Sequence, residues 1–282
     1  MKNIRVIPRL DIKGPNLVKG IHLEGLRVLG KPESFAKYYY ENGADELIFQ
    51  DVVASLYERN SLHDIISRTA KDIFIPLTVG GGIRTIDDIK QVLRAGADKV
   101  SINTAAIKNP EFIKEASLKF GSSTIVIAIE AIKQSDGTYQ AFVDNGREQT
   151  GVEVVSWAQQ VEELGAGEIV ITSVDKEGTG NGFDIDLIKD ISNKVNIPLV
   201  VHGGAGNRQD VLNVLTQTDA DAVCAASIFH YDFIKHEQFD MNETSEGNYA
   251  FIKSGNKVKY IDPVSIENLK EFLLENIIKL RK

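Results

Sequence analysis

The chain contains one short stretch twice: IPLTVGGG at residues 75–82 and IPLVVHGG at residues 197–204, which is 122 positions later (75 and 197). A second pair, GADEL at residues 43–47 and GAGEI at residues 165–169, has the same spacing of 122 positions (43 and 165). Repetition at a fixed spacing indicates two tandem halves of similar architecture. A functional site in one half should therefore have a counterpart in the other half.

Around these copies, short β-branched runs alternate with longer amphipathic runs. Predicted strands lie near residues 5–8, 46–49, 74–79, 99–102, 124–129, 168–171, 197–201 and 222–225. Helical patterns lie near residues 33–42, 61–71, 85–95, 110–119, 152–163, 185–194, 208–216 and 264–280. Eight strand–helix units predict an α/β protein that is a single (β/α)8 TIM barrel over residues 1–282, built from two half-barrels. An open doubly wound sheet is the structural alternative, but eight regular units favour closure.

Two segments depart from the alternation. Residues 132–150 contain turn sequences on both sides of an apolar run, which predicts a hairpin inserted after strand 5 on the face that carries the loops of a barrel site. Residues 231–262 are polar and acidic and predict an excursion before the last helix. It is either a mobile loop or a docking element, and the composition favours a solvated loop.

Composition excludes several classes of protein. The 282 residues include 32 basic and 40 acidic side chains, a net charge of −8, which argues against nucleic acid as a partner. No run approaches the ~18 apolar residues of a membrane span, and the first residues do not resemble a signal peptide, so we expect no membrane partner. A single cysteine, Cys224, fits a reducing compartment and predicts a cytoplasmic protein. The five histidines lack the spacing of metal ligands, so no metal site is predicted.

Two carboxylates occupy equivalent strand ends in the two halves. Asp11 ends strand 1 and Glu130 ends strand 5. The active site of a barrel lies at the carboxyl ends of its strands, so these side chains should face each other across the mouth. Opposed carboxylates in different surroundings suit general acid–base catalysis, whereas solvated loop carboxylates are the alternative.

Glycine-rich turns also recur at matched strand ends. Backbone N–H groups of such turns, together with helix N-termini, bind anions, and loops 7 and 8 of barrels often hold phosphate. Duplication of these turns on loops 3 and 4 predicts a ligand with a phosphate at each end. The candidate phosphate-binding residues are Gly82, Asn103 and Thr104 in the first half and Gly203, Gly204, Ala226 and Ser227 in the second.

Charged residues cluster at the opposite ends of the strands. Strand alternation places Arg5, Glu46, Lys99 and Glu168 inside the amino-terminal mouth of the barrel. Two cations and two anions can form a ring of salt bridges there. Such a ring usually stabilises packing, and a gate on the barrel axis is its functional alternative.

Several of these stretches together resemble the HisF family, the cyclase subunit of imidazole glycerol phosphate synthase in histidine biosynthesis. The most specific are LDIK at residues 10–13, TVGGGIR at 78–84, ADKVSINTAA at 97–106 and GGAG at 203–206. The resemblance runs from Ile4 to about His230 and returns over the last helix. It implies a barrel that uses ammonia to convert a bisphosphorylated aminoribotide (PRFAR) into imidazole glycerol phosphate and an aminoimidazole carboxamide ribotide (AICAR), with no cofactor.

The resemblance also implies a partner and roles for individual residues. A glutaminase subunit (HisH-like) would dock on the amino-terminal face and send ammonia along the barrel axis. Asp11 matches the strand-1 catalytic carboxylate, Glu130 stands where the strand-5 one belongs, and Lys19 would lie on a mobile loop that closes over the substrate. The ring of Arg5, Glu46, Lys99 and Glu168 matches the family's ammonia gate.

The sequence departs from the family pattern at the mouth. Glu130 and Glu177 replace aspartates, Arg9 replaces a cysteine, and His202 replaces a serine; Thr78 and Thr172 complete the predicted mouth. We expect Arg9 to pair with Glu130 or Asp11, to favour the ionised form of its partner, and to narrow the ammonia path.

These departures leave three hypotheses for function. The first is the ordinary cyclase with tolerated substitutions. The second is a HisF-like paralogue that conducts ammonia from a glutaminase to another acceptor, such as a surface-polysaccharide sugar that is amidinated. The third, a protein that only activates a glutaminase, is disfavoured because both phosphate loops are retained.

Overall fold

The structure is a closed barrel of parallel strands, as the sequence predicts. It is a computed structural model that describes residues 3–54, 62–236 and 260–281. The strands are β1 (Arg5–Lys13), β2 (Asn16–Ile21), β3 (Glu24–Gly30), β4 (Leu47–Asp51), β5 (Leu77–Gly80), β6 (Lys99–Ile102), β7 (Ile125–Lys133), β8 (Tyr139–Val143), β9 (Glu148–Glu153), β10 (Glu168–Ser173), β11 (Leu199–His202) and β12 (Ala222–Ala225). Eight of them form the barrel in the cyclic order β1, β4, β5, β6, β7, β10, β11, β12 and back to β1. The open-sheet alternative is therefore wrong.

Helices surround the barrel strands. They are α1 (Pro32–Glu41), α2 (His63–Thr69), α3 (Ile86–Ala95), α4 (Thr104–Lys108), α5 (Glu111–Phe120), α6 (Val154–Glu163), α7 (Ile185–Ser192), α8 (Arg208–Gln217), α9 (Ser227–His236) and α10 (Ile266–Glu275). Outward-facing strand residues such as Leu10, Phe49 and Ile127 pack with apolar helix residues in one large core. Inward-facing residues form a separate apolar layer of Ile7, Ile48, Val126, Val170, Val200, Ala222 and Cys224. The barrel is thus filled by side chains, as its fold requires.

The two halves share local hydrogen bonds as well as sequence. Thr85 caps α3 in a capping box with Asp88, and Asn207 caps α8 in a capping box with Asp210. Both caps fall at the same step of the repeat, 122 positions apart (85 and 207). Such reciprocal caps satisfy backbone N–H groups that have no partner in the first turn of a helix. The start of this helix is therefore set by local hydrogen bonds in each half.

An antiparallel hairpin follows the first barrel strand of each half, β1 in one and β7 in the other. The predicted insertion after the fifth barrel strand is present, because β7 continues into the antiparallel strands β8 and β9. A matching hairpin of β2 and β3 follows β1, where the family resemblance implied a mobile loop. In the structure this segment is a two-stranded antiparallel ribbon that carries Lys19 on β2.

The predicted excursion at residues 231–262 lies mostly outside the described residues. Residues 231–236 belong to α9, so the first six residues of the predicted excursion are helical. No helix in the described ranges is both long and apolar enough to cross a membrane.

Candidate active site and axial charge ring

A closed ring of four charged side chains spans the amino-terminal end of the barrel. Arg5 reaches Glu46 at 2.9 Å and Glu168 at 2.5 Å, and Lys99 reaches the same two carboxylates at 3.0 and 2.9 Å. Arg281 adds a further contact to Glu46 at 3.1 Å. The four residues predicted to cluster here do so, and each of the two carboxylates bridges Arg5 and Lys99.

The charges of the ring stabilise one another. Burial alone would raise the pKa of Glu46, but Arg5 and Lys99 outweigh burial and lower it. Burial likewise opposes the charge of Arg5, yet Glu168 and Glu46 raise its pKa. A paired and hydrogen-bonded ring tolerates burial, whereas removal of one member leaves its neighbours uncompensated. The ring is therefore a closed set of ion pairs at the amino-terminal end of the barrel.

At the opposite end, Arg9 and Asp11 form a buried ion pair. Both side chains point inward from β1, and the Nε of Arg9 lies 2.7 Å from Oδ1 of Asp11. Arg9 also donates through Nη1 to Thr172 at 3.3 Å, with His202 at 3.5 Å. Burial works against the charge of Arg9, but Asp11 outweighs it and raises the pKa of Arg9. Of the two expected partners of Arg9, the structure selects Asp11.

Glu130 faces the same mouth from β7 in different surroundings. Its Oε2 accepts a 2.7 Å hydrogen bond from the N–H of Gly146, which follows a hairpin turn where Asp144 and Asn145 both adopt positive φ. Burial raises the pKa of Glu130 to about 7, although Arg9 and hydrogen bonds from Gly146 and Asn103 oppose the shift. The two carboxyl groups therefore have different surroundings. Asp11 is paired with a guanidinium group, whereas Glu130 accepts a hydrogen bond from a backbone N–H.

The raised pKa predicts a pH-dependent stability. Folded Glu130 binds its proton up to about pH 7, whereas an unfolded glutamate releases it near 4.5, so the free energy of unfolding falls as pH rises between these values. The loss amounts to at most about 3 kcal/mol. Glu130→Gln, which is neutral at every pH, should remove this part of the fall. Urea unfolding of both proteins at several pH values measures the difference, and parallel pH curves would contradict the predicted pKa.

A cavity of about 390 Å³ opens between the loops after β5 and β6. It is lined by the predicted phosphate residues Gly82, Asn103 and Thr104, by Glu130, and by the cations Arg84 and Lys108. Gly81 and Gly82 also line it, with φ of +101° and +71°, a conformation that glycine adopts readily because it has no side chain. The first predicted phosphate site is therefore an open, partly cationic pocket beside a carboxyl group.

The equivalent region of the second half is nearly filled. Gly203, Gly204, Ala226 and Ser227 line a space of only about 10 Å³ together with Lys19, Glu177 and His202. The Lys19 ammonium forms a buried ion pair with Glu177 there. Gly204 has a φ of +109°, and a Cβ on it would lie 2.0 Å from the Gly182 carbonyl oxygen, so only glycine fits this turn.

The β2–β3 hairpin is held over this second pocket. The backbone N–H of Leu23 donates to Glu177 at 2.9 Å, and that of His22 donates to the Glu177 carbonyl at 2.9 Å. Asn145 donates to the Leu23 carbonyl at 2.9 Å, which ties the two hairpins together across the mouth. Lys19 thus lies beside the predicted second phosphate site, where it is paired with Glu177.

The remaining predicted mouth residues separate into two groups. Thr172 and His202 lie beside Arg9, and their Oγ1 and Nδ1 atoms are 3.3 Å apart. Burial and the charge of Arg9 keep the pKa of His202 well below its ordinary value, so the ring is neutral. Thr78 is buried on β5 in register with Ile48 and Lys99, and no hydrogen bond joins it to Asp11 or Glu130 among the described residues.

Sequence reasoning missed several residues that line the first pocket. Gln50, Asp51 and Ser101 lie at the ends of β4 and β6, and Asp144 lies on the second hairpin. The signal was available for Asp51, since it is a carboxylate at the carboxyl end of a barrel strand, as Asp11 is. The described residues contain no cluster of metal-ligating side chains.

Comparisons with known proteins place this geometry in a family. A family model described as histidine biosynthesis protein matches residues 5–235. The imidazole glycerol phosphate synthase subunit HisF of Legionella pneumophila is 56% identical over 210 residues, which cover 74% of this chain and 99% of the relative. The subunit of the same name from Hydrogenobaculum sp. (strain Y04AAS1) is 51% identical over 227 residues, 80% of this chain and 90% of the relative. That of Alkaliphilus metalliredigens (strain QYMF) is 47% identical over 228 residues, 81% of this chain and 90% of the relative.

The chain belongs to the HisF family. Membership confirms the expected resemblance, the barrel fold and the enzyme class. In this HisF-family barrel all four residues of the charge ring are present and paired. The mouth at the other end carries Arg9, Glu130, Glu177 and His202. The four positions at which the resemblance implies a departure from the family pattern therefore all lie at one end of the barrel.

Proposed function

We propose that this barrel is the cyclase subunit of imidazole glycerol phosphate synthase. It would use ammonia from a glutaminase to convert the bisphosphorylated aminoribotide into imidazole glycerol phosphate and the aminoimidazole carboxamide ribotide. The relatives support this reaction, since each carries the name of that synthase. They lend no support to delivery of ammonia to another acceptor. The observation that carries the mechanism is the pair of unlike carboxyl groups between two glycine-lined pockets.

The two carboxyl groups suit opposite roles. Asp11, paired with Arg9, is suited to accept a proton, and Glu130, whose pKa is about 7, can hold a proton at neutral pH and donate it. Cyclisation of an imidazole ring and loss of the ribotide both need protons to be removed at one atom and delivered at another. The two roles differ because burial favours the protonated form of Glu130, whereas Asp11 has the Arg9 guanidinium as its partner.

The phosphate pockets would hold the two ends of the substrate. The open pocket at Gly82, Asn103 and Thr104 is ready to receive one phosphate. The pocket at Gly203, Gly204 and Ser227 would receive the other once the pair of Lys19 and Glu177 separates. Lys19 is then free to contact the substrate. Binding would thus be accompanied by movement of the β2–β3 hairpin.

The amino-terminal face would dock the glutaminase. An exposed aromatic ring, Phe74, has 79% of its surface accessible just before β5 and lines a groove of about 400 Å³ with Ile75, Pro76 and Asp98. Exposed aromatic residues are enriched at interaction surfaces. The charge ring lies at the axis of the same barrel end, so ammonia released there would meet the ring first. We further propose a cytoplasmic location, which the single buried cysteine supports.

Phe74→Asp should weaken the complex with the glutaminase. An anchor ring in a groove contributes strongly to binding, so we expect the dissociation constant to rise at least about tenfold. Turnover with ammonium salt should stay unchanged because Phe74 is remote from the mouth. Gln91→Asp, which places the same charge on the exposed side of α3, is the control. Isothermal titration of both variants with the glutaminase measures the effect, and equal affinities would place the docking surface elsewhere.

The experiment that tests the proposed function is turnover of the bisphosphorylated aminoribotide with excess ammonium salt. Free ammonia bypasses the glutaminase, so the barrel mouth is tested alone. Formation of imidazole glycerol phosphate supports the cyclase. Tight binding of the same substrate without turnover would overturn it in favour of another acceptor.

A further inference from the structure

A guanidinium group lies across the barrel interior between the apolar layer and the mouth. Arg9 points inward from β1 and is only 5% exposed. It contacts Asp11 on its own strand, Thr172 on β10 and His202 on β11. On β1 it lies between Ile7 of the apolar layer and Asp11 at the strand end. A small molecule that travels along the axis toward the mouth would pass close to this group.

One nitrogen of this guanidinium has no hydrogen-bond partner. Nε donates to Asp11 and Nη1 to Thr172, but Nη2 is buried and unpartnered among the described residues. A buried donor of a charged group that lacks an acceptor destabilises the protein, and such groups in native structures often have a functional reason. The free donor therefore marks a place where an acceptor can bind.

The surroundings of Arg9 make it a fixed positive charge among groups that are neutral or anionic. Asp11 on β1 and Glu130 on β7 are the carboxyl groups that act on it, with Cys224 on β12 as a further neighbour. Burial raises the pKa of the Cys224 thiol to about 12, and His202 is kept neutral by its low pKa. A cation beside Nη2 would be repelled by the guanidinium, whereas a neutral molecule would not be repelled.

Ammonia and the ammonium ion differ in whether they can accept a hydrogen bond from this donor. Ammonia has a lone pair that accepts a hydrogen bond and three N–H groups that can donate to a carboxylate. The ammonium ion has no lone pair and carries a positive charge. The free Nη2 donor thus fits ammonia, which has an acceptor lone pair, and offers no hydrogen bond to ammonium, which has none.

We propose that Arg9 binds ammonia through its free Nη2 donor at the catalytic end of the barrel axis and excludes ammonium ion from the mouth. This inference rests on the proposed function, because it concerns the nitrogen source of that reaction. Two charged sites would then lie along the path of ammonia. They are the charge ring at the amino-terminal end and the Arg9 guanidinium, two residues before Asp11 on β1. The role belongs to this chain's own departure from the cysteine of the family pattern.

The test is the dependence of turnover on free ammonia in the isolated barrel with saturating bisphosphorylated aminoribotide. Arg9→Gln should raise the KM for ammonia about tenfold, the loss expected for one charge-assisted hydrogen bond, without a matching rise in the KM for the aminoribotide. Measurements at several pH values above the pKa of Glu130 vary the ammonium ion at constant free ammonia. Ammonium should inhibit Arg9→Gln but not the unaltered protein.

Two further variants separate binding from structure. Arg9→Lys keeps a cation beside Asp11, so it should still resist inhibition by ammonium even if its kcat falls. Arg68→Gln removes an arginine–carboxylate pair on the surface, with Glu33, and should leave every constant unchanged. A purely structural role of Arg9 would lower kcat in Arg9→Gln and Arg9→Lys alike without any response to ammonium.

The outcomes are distinguishable. Absence of turnover by the unaltered protein with ammonium salt would overturn the proposed function itself. Turnover by the unaltered protein, with the same ammonia KM in Arg9→Gln, would overturn the role of Arg9. A rise confined to the KM for the aminoribotide would assign Nη2 to a substrate oxygen and would also reject ammonia binding.

Discussion

Asp11→Asn is expected to lower kcat for the bisphosphorylated aminoribotide by roughly a thousandfold, within the range that a positioned general base contributes. Asparagine has nearly the same shape and can accept the hydrogen bond from Nε of Arg9, but it cannot take up a proton at neutral pH. Affinity for the substrate should change little, because the pockets that would hold its phosphates do not include Asp11. Turnover with ammonium salt and calorimetric binding of the substrate measure the two quantities separately.

Loss of the carboxylate also leaves the Arg9 guanidinium without its counter-ion in a buried place. Some loss of stability is therefore expected, and the thermal midpoint must be recorded with the kinetics so that an unfolded fraction is not counted as a slow enzyme. Folded Asp11→Asn with unchanged kcat would remove Asp11 from the mechanism. A kcat that falls while the substrate no longer binds would instead assign Asp11 to binding.

Lys99→Ala should separate glutamine hydrolysis from product formation in the complex with the glutaminase. Lys99 bridges Glu46 and Glu168, so its removal opens one side of the ring and leaves two carboxylates facing the axis. Ammonia released by the glutaminase would then escape or be protonated, and we expect the yield of product per glutamine to fall several-fold. Turnover with external ammonium salt should be retained, because the mouth is intact.

Lys270→Ala is a matched control for this variant. Lys270 also pairs with a buried carboxylate, Asp45 at 2.8 Å, and its side chain has the same 19% exposure as that of Lys99, but it lies outside the ring. Its loss should not change the ratio of product to glutamine. Equal losses with both nitrogen sources in Lys99→Ala would show a structural ring rather than a gate.

The barrel and the ring could be predicted from the sequence because each depends on regular patterns. The repeat at residues 75–82 and 197–204 predicts matched strand ends, and period-two alternation places Arg5 and Glu46 on the inside. Their pairing then follows from opposite charge in a confined space. Closure of eight strands needed no information beyond the count of units.

The arrangement at the mouth depends on long-range packing that no local pattern contains. Whether Arg9 pairs with Asp11 or Glu130 is decided by distances between strands, and the high pKa of Glu130 depends on how completely the hairpins bury it. The ion pair of Lys19 and Glu177 joins residues 158 positions apart through the closed hairpin. Sequence reasoning identified these side chains as members of the mouth but could not assign their partners.

The local hydrogen bonds repeated in each half have a consequence for assembly of the barrel. Leu77 and Asp98, and likewise Leu199 and Asp221, pair across 21 and 22 positions of the chain, so these connections form within one half. Among the strands that the structure describes, only the β6–β7 and β12–β1 ladders join different halves. A substitution along these two seams tests association of the halves, whereas one elsewhere in the barrel tests the folding of a single half.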